Sequence, residues 1–108
     1  MNQAMHDVLK ALEAVLIERK MAAADNSYVA GLYAQGNDKI LKKIGEEAIE
    51  TIMAVTQGKP EAIVHETADL WFHLMVMLVH NGLGVDAISA ELKQRMGYSG
   101  LLEKATRK

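Results

Sequence analysis

Between Ala62 and Val79 the chain is apolar nearly all round a helix: Ile63, Val64, Leu70, Trp71, Phe72, Leu74, Met75, Val76, Met77 and Leu78 leave it no polar face. A helix of that kind is normally buried. Yet Glu66, Asp69 and His73 interrupt it at i, i+3 and i+7, a spacing that puts all three on one line of the helix. Carboxylates are almost never fully buried without a partner, and removing an ionised one from water costs several kcal/mol even after relaxation. The fold must therefore bring something to this line that neutralises it.

The surrounding sequence is helical in pattern. Pro60 is the one proline, aromatic residues are only 5% of the chain, and no stretch alternates apolar and polar residues with period two. Residues 5–20 form a first expected helix, with Met5, Val8, Leu9, Leu12, Val15, Leu16 and Arg19 on one face. A less regular stretch follows, with a short helical piece over 28–35. Asp38 is the expected N-cap of a long helix over 38–57, stopped by Gly58. Pro60 suits the first turn of the next helix, which runs to Asn81-Gly82. A last helix covers 85–96, with Val85, Ile88 and Leu92 inward; the order of the tail beyond it is not set by pattern. The expected fold is all-α, a single domain over residues 1–108 built as a four-to-five-helix bundle.

Composition removes several function classes. The formal net charge is −2, with no excess of Lys and Arg for a nucleic-acid surface. Without cysteine there are no disulfides, thiolate zinc sites or cysteine nucleophiles. The N-terminal residues lack the apolar stretch of a secretory signal. The run 70–79, broken by His73, is shorter than the roughly 20 residues of a bilayer span. The expectation is a cytoplasmic protein with no nucleic-acid or membrane partner. Apolar residues on more than one helix face point to a homodimer burying parts of the two long central helices.

The helix over 38–57 carries a second set of acids. On a wheel of about 100° per residue, Ile40, Leu41, Ile44, Ala48, Ile52 and Val55 share one face, while Glu46, Glu47 and Glu50 form an adjacent stripe beside Lys39 and Lys43. Ile49 and Met53 lie on the stripe's far side. Glu/Lys mixtures are usually solvated faces, but this one is flanked by apolar residues on both edges. The short link at Gly58-Lys59 makes the two central helices antiparallel neighbours, so their acids can face one another. Such a cluster repels itself. Lys39 and Lys43 offset part of the charge and divalent cations would offset most of it. Oxygen donors without thiolates, and no Glu-x-x-His pair, favour Mg²⁺ or Mn²⁺ over zinc or a di-iron centre.

Glu46-Glu47-Ala48-Ile49-Glu50, fifteen residues, then Glu66-Thr67-Ala68-Asp69 resembles the EExxE…ExxD signature of the all-α nucleoside triphosphate pyrophosphohydrolases, the MazG-like superfamily. Within it the chain is most similar to the phosphoribosyl-ATP pyrophosphohydrolases. Ser27-Tyr28-Val29-Ala30-Gly31-Leu32, Lys42-Lys43-Ile44-Gly45-Glu46-Glu47, Asp69-Leu70-Trp71-Phe72-His73 and the tail Arg95-Met96-Gly97-Tyr98-Ser99-Gly100 carry the likeness. The resemblance implies Mg²⁺-dependent hydrolysis of N1-(5-phosphoribosyl)-ATP to the AMP compound and pyrophosphate, the second step of histidine biosynthesis, by a dimer. Relatives fused to a cyclohydrolase domain use cysteines this chain lacks.

On that resemblance Glu47, Glu50, Glu66 and Asp69 are the expected metal ligands, with Glu46 either joining them or orienting the attacking water. Lys39, Lys42 and Lys43 stand within a turn of the acids, each a phosphate contact or a plain helix-pair partner. Arg19 is a phosphate clamp or a residue whose stem is buried beneath a solvated head, and Arg95 poses the same choice. His73 is a hydrogen-bond partner behind the acids or a satisfied core histidine; His65 and His80 read as structural or exposed. Two other readings stand beside this one. One is a MazG-like enzyme acting on ordinary or damaged nucleoside triphosphates. The other is a non-enzymatic helical interaction module whose acids bind a structural cation.

Overall fold

Sparse punctuation gives long helices. The computed structural model describes the backbone of residues 2–106 and the side chains of residues 4–97. Within them α1 (Asn2–Glu18) leads through 3-10 turns at Arg19–Met21 and Ala24–Asn26 into α2 (Tyr28–Gln35). Then come α3 (Asn37–Gln57), α4 (Pro60–His80) and α5 (Val85–Thr106). No strand occurs among the described residues, so the fold is all-α.

The helix ends follow from local chemistry. The Ser27 hydroxyl caps α2 by accepting the Ala30 N–H at 3.2 Å. Gly58 closes α3 at φ 73°, in the left-handed region that favours glycine, and Pro60 opens α4. Asp38 lies in the first turn of α3 rather than at its cap, a place taken by Gly36. At the opposite end of the α3–α4 hairpin, the side-chain amides of Asn37 and Asn81 bond reciprocally at 3.0 and 3.1 Å. The Tyr33 hydroxyl donates to the Leu16 carbonyl at 2.8 Å, satisfying one of the orphan acceptors in the last turn of α1. Glu13 accepts the Val85 N–H at 2.7 Å and so ties α5 to α1.

The core gathers Leu16, Val29, Leu32, Ile40, Met75, Val76, Val79 and Val85. Burial divides the apolar faces of three helices unevenly, and on the last it departs from the expected inward set. The apolar stripe on α3 is not one buried face: Ile40 is buried, while Leu41, Ile52 and Val55 are exposed, and the buried line runs through Ile40, Glu47 and Ala54. On α1 the inward edge narrows to Leu9, Leu12 and Leu16, leaving Met5 and Val8 exposed. On α5, among the described side chains, only Val85 is buried, Ile88 and Leu92 are exposed, and the helix continues past Gly97. A glycine inside a helix costs only about 1 kcal/mol, so without proline the helix is weakened but not stopped.

By length and composition α4, at 21 residues, is long and apolar enough to cross a membrane, although the run 70–79 alone is not. Its acids and His73 instead meet α3 and α2.

Candidate functional site

The antiparallel α3–α4 hairpin brings the two acidic lines together. Glu47 from α3 and Glu66 and Asp69 from α4 each present a carboxylate oxygen, and these oxygens all lie within 4.8 Å of one another. Glu47 is only 6% exposed. Between the helices the Thr51 hydroxyl sits 2.8 Å from the Glu47 carbonyl oxygen and 3.1 Å from that of Glu66, a polar pin at the level of the acids. Thr51 is a site-shaping residue that the charged pattern did not reveal. Its one signal was a polar position four residues after Glu47 on the contact face.

The acids are only partly neutralised. Lys43 Nζ lies 3.4 Å from Glu46 and 3.6 Å from Glu47. Partial burial pulls the Lys43 ammonium down, but Tyr28, Glu46 and Glu47 outweigh it and hold its pKa above the ordinary lysine value. Glu66 shows the cost of the arrangement. Desolvation first, then a hydrogen bond and repulsion from Glu50, raise its pKa; His65 pulls against them, and Asp69 adds a lesser push upward. One oxygen each of Glu47 and Glu66 is buried with no hydrogen-bond partner among the described residues. Native folds seldom leave buried polar atoms unpaired. A set of hard carboxylate oxygens with two orphaned atoms fits a divalent cation such as Mg²⁺.

Glu50 is exposed but borders a small cleft of about 180 Å³ with Glu66, beside the three-carboxylate cluster. Glu46 is exposed and held by Lys43 at the cluster's edge. Exposed His65 approaches Asp69 at 3.5 Å. Lys39 is half-buried and Lys42 exposed on α3, and neither forms an ion pair among the described residues. Arg95 is bound to Glu91 on its own helix at 3.2 Å. Arg19 lies outside the acid cluster and lines a larger cleft of about 590 Å³.

His73, 5% exposed, is a bonded core histidine and also part of the site's frame. Its Nδ1 lies 2.8 Å from the Asp69 carbonyl and its Nε2 lies 2.8 Å from the Tyr28 hydroxyl. Tyr28 thereby joins the site, which the acid pattern did not disclose. Desolvation, countered in part by Lys43, raises the pKa of its phenol. His80, by contrast, stacks on Tyr33 with ring centres 5.6 Å apart.

The family model of phosphoribosyl-ATP pyrophosphohydrolase matches residues 9–96. The chain is 57% identical over 102 residues to the phosphoribosyl-ATP pyrophosphatase of Methylococcus capsulatus, covering 94% of this chain and 97% of that one. It is 50% identical over 103 residues to the protein of that name from Vesicomyosocius okutanii, covering 95% and 98%. Against the one from Geobacter metallireducens it is 52% identical over 101 residues, covering 94% and 93%.

Proposed function

The chain belongs to the phosphoribosyl-ATP pyrophosphohydrolase family, and from that premise we propose a reading of how its own residues do the chemistry. The activity is hydrolysis of phosphoribosyl-ATP to phosphoribosyl-AMP and pyrophosphate, a step of histidine biosynthesis. The observation that carries the site reading is the convergence of Glu47, Glu66 and Asp69 within 4.8 Å, with orphaned oxygens on Glu47 and Glu66.

A triphosphate repels bare carboxylates, so these acids serve it only through a cation. Glu47, Glu66 and Asp69, joined by Glu50, would hold Mg²⁺. When bound there, the ion supplies positive charge against the phosphates and acidity to the attacking water. Glu46, outside the three-carboxylate cluster, is left to orient that water toward phosphorus. Lys43, placed between Glu46 and Glu47, offsets part of their charge and offers a cation to a phosphate oxygen. Lys39 and Arg19 extend the basic contacts to the substrate; Arg95, committed to Glu91, contributes less.

The chain works as a homodimer. Helix geometry puts Leu41, Ile52 and Val55 of α3 on the same side of the hairpin as Val64 and Trp71 of α4, and all five are exposed. A contiguous apolar face of this kind marks an interface.

The test is a pyrophosphate-release assay with phosphoribosyl-ATP and Mg²⁺, with and without EDTA. Release should occur with Mg²⁺ and stop with EDTA. Full turnover in EDTA would end the cation reading, and no release under any condition would end the substrate reading.

A further inference from the structure

We infer that the cleft beside the acids seats the purine and N1-phosphoribosyl end of the substrate, and that Arg19 grips the ribosyl 5′-phosphate that ATP lacks. This rests on the phosphoribosyl-ATP reading above and deepens it. The cleft is formed by the last turns of α1, the 3-10 turns after it, the start of α2, and Phe72 of α4. Its volume of about 590 Å³ lies within the range of roughly 300–1,000 Å³ of small-molecule sites. Its walls are aliphatic at Val15 and aromatic at Tyr28 and Phe72, and among the described residues Arg19 is the one charged side chain lining it.

Among the described residues Arg19 forms no ion pair with a carboxylate, whereas Lys10, Lys43 and Arg95 each do. An unengaged guanidinium at the rim of an apolar cleft is suited to bidentate phosphate binding. Tyr28 links this cleft to the acids. Its ring lines the cleft, and its hydroxyl meets His73, whose other nitrogen meets the Asp69 carbonyl. Tyr28 therefore stands between the acids, whose charges it feels, and the cleft that Arg19 lines. Phosphoribosyl-ATP runs in the same order, from triphosphate, through the purine, to the second ribose and its phosphate. Aromatic walls suit the planar purine.

Arg19 is then a specificity-determining residue: its contact exists for phosphoribosyl-ATP and has no counterpart for ATP. Pyrophosphate release is measured against phosphoribosyl-ATP concentration at saturating Mg²⁺ for wild type and Arg19→Gln, with ATP as a competing ligand. Arg19 is exposed, so the variant keeps the core, and circular dichroism checks that it folds. The KM for phosphoribosyl-ATP should rise about ten- to hundredfold, the worth of one charge-assisted contact. The inhibition constant of ATP should stay within about threefold. A KM within about threefold of wild type overturns the inference whatever kcat does, and equal weakening of ATP overturns the assignment to the ribosyl phosphate. A wild-type protein inactive on phosphoribosyl-ATP overturns the substrate reading itself, a separate failure.

Discussion

The Tyr28 hydroxyl lies 2.8 Å from His73 Nε2, across 45 positions of sequence. The partner on the other ring nitrogen fixes the direction of this bond. The Asp69 carbonyl can only accept, so His73 Nδ1 carries the hydrogen and Nε2 accepts from the tyrosine. His73 is thereby held between α2 and the backbone of a proposed metal ligand.

Tyr28→Phe removes the donor and leaves a buried ring nitrogen unpaired, at a cost of about 1–3 kcal/mol. The melting temperature should fall by about 4–8 °C for each kcal/mol lost. The variant should still fold and bind Mg²⁺, since the cluster's carboxylates are untouched. An unchanged thermal melt would show that the hydrogen bond contributes nothing to the frame.

Glu66 makes the stability of the cation-free protein depend on pH. Its folded-state pKa is raised above the ordinary 4.5, by desolvation first and by Glu50 second. Between 4.5 and that raised value the folded state binds more protons than the unfolded state, so this group's contribution falls as pH rises through the window. In EDTA, the melting temperature of wild type relative to Glu66→Gln should therefore decline with rising pH across that interval. Saturating Mg²⁺, which favours the ionised carboxylate, should abolish the decline. A difference between the two proteins that is flat in EDTA would contradict the assignment of strain to Glu66.

The α3–α4 hairpin was legible in the chain, because Gly58, Pro60 and two acidic lines at helical spacing are local signals. The inward face of α3 was not. With apolar residues on both flanks of the acidic stripe, periodicity alone does not say which flank meets the rest of the chain. The structure buries Ile40, Glu47 and Ala54 and turns Leu41, Ile52 and Val55 outward, so the acids themselves lie on the contact line. The run of α5 past Gly97 was also illegible, since glycine punctuates turns and weakens helices with the same sequence signal. Tyr28 escaped the acid pattern because its link to His73 is purely tertiary.

The outward apolar face carries its own expectation. Sedimentation at micromolar concentration should give twice the mass of one chain. Val64→Asp, at a position 69% exposed in the single chain, should shift the protein toward monomer by burying an unpaired charge in the interface. A wild-type monomer at that concentration would contradict the dimer.

We propose that Glu47 and Asp69 act together through a cation they jointly hold. It is tested most directly by measuring pyrophosphate release from phosphoribosyl-ATP in Glu47→Gln and Asp69→Asn, with helical circular dichroism recorded on the same samples. Each amide keeps the shape of its carboxylate and removes the charge. Release should fall by at least about a hundredfold in each variant, the scale of losing a ligand or its support, while the helical signal persists. Wild-type rates of release in both variants would contradict it.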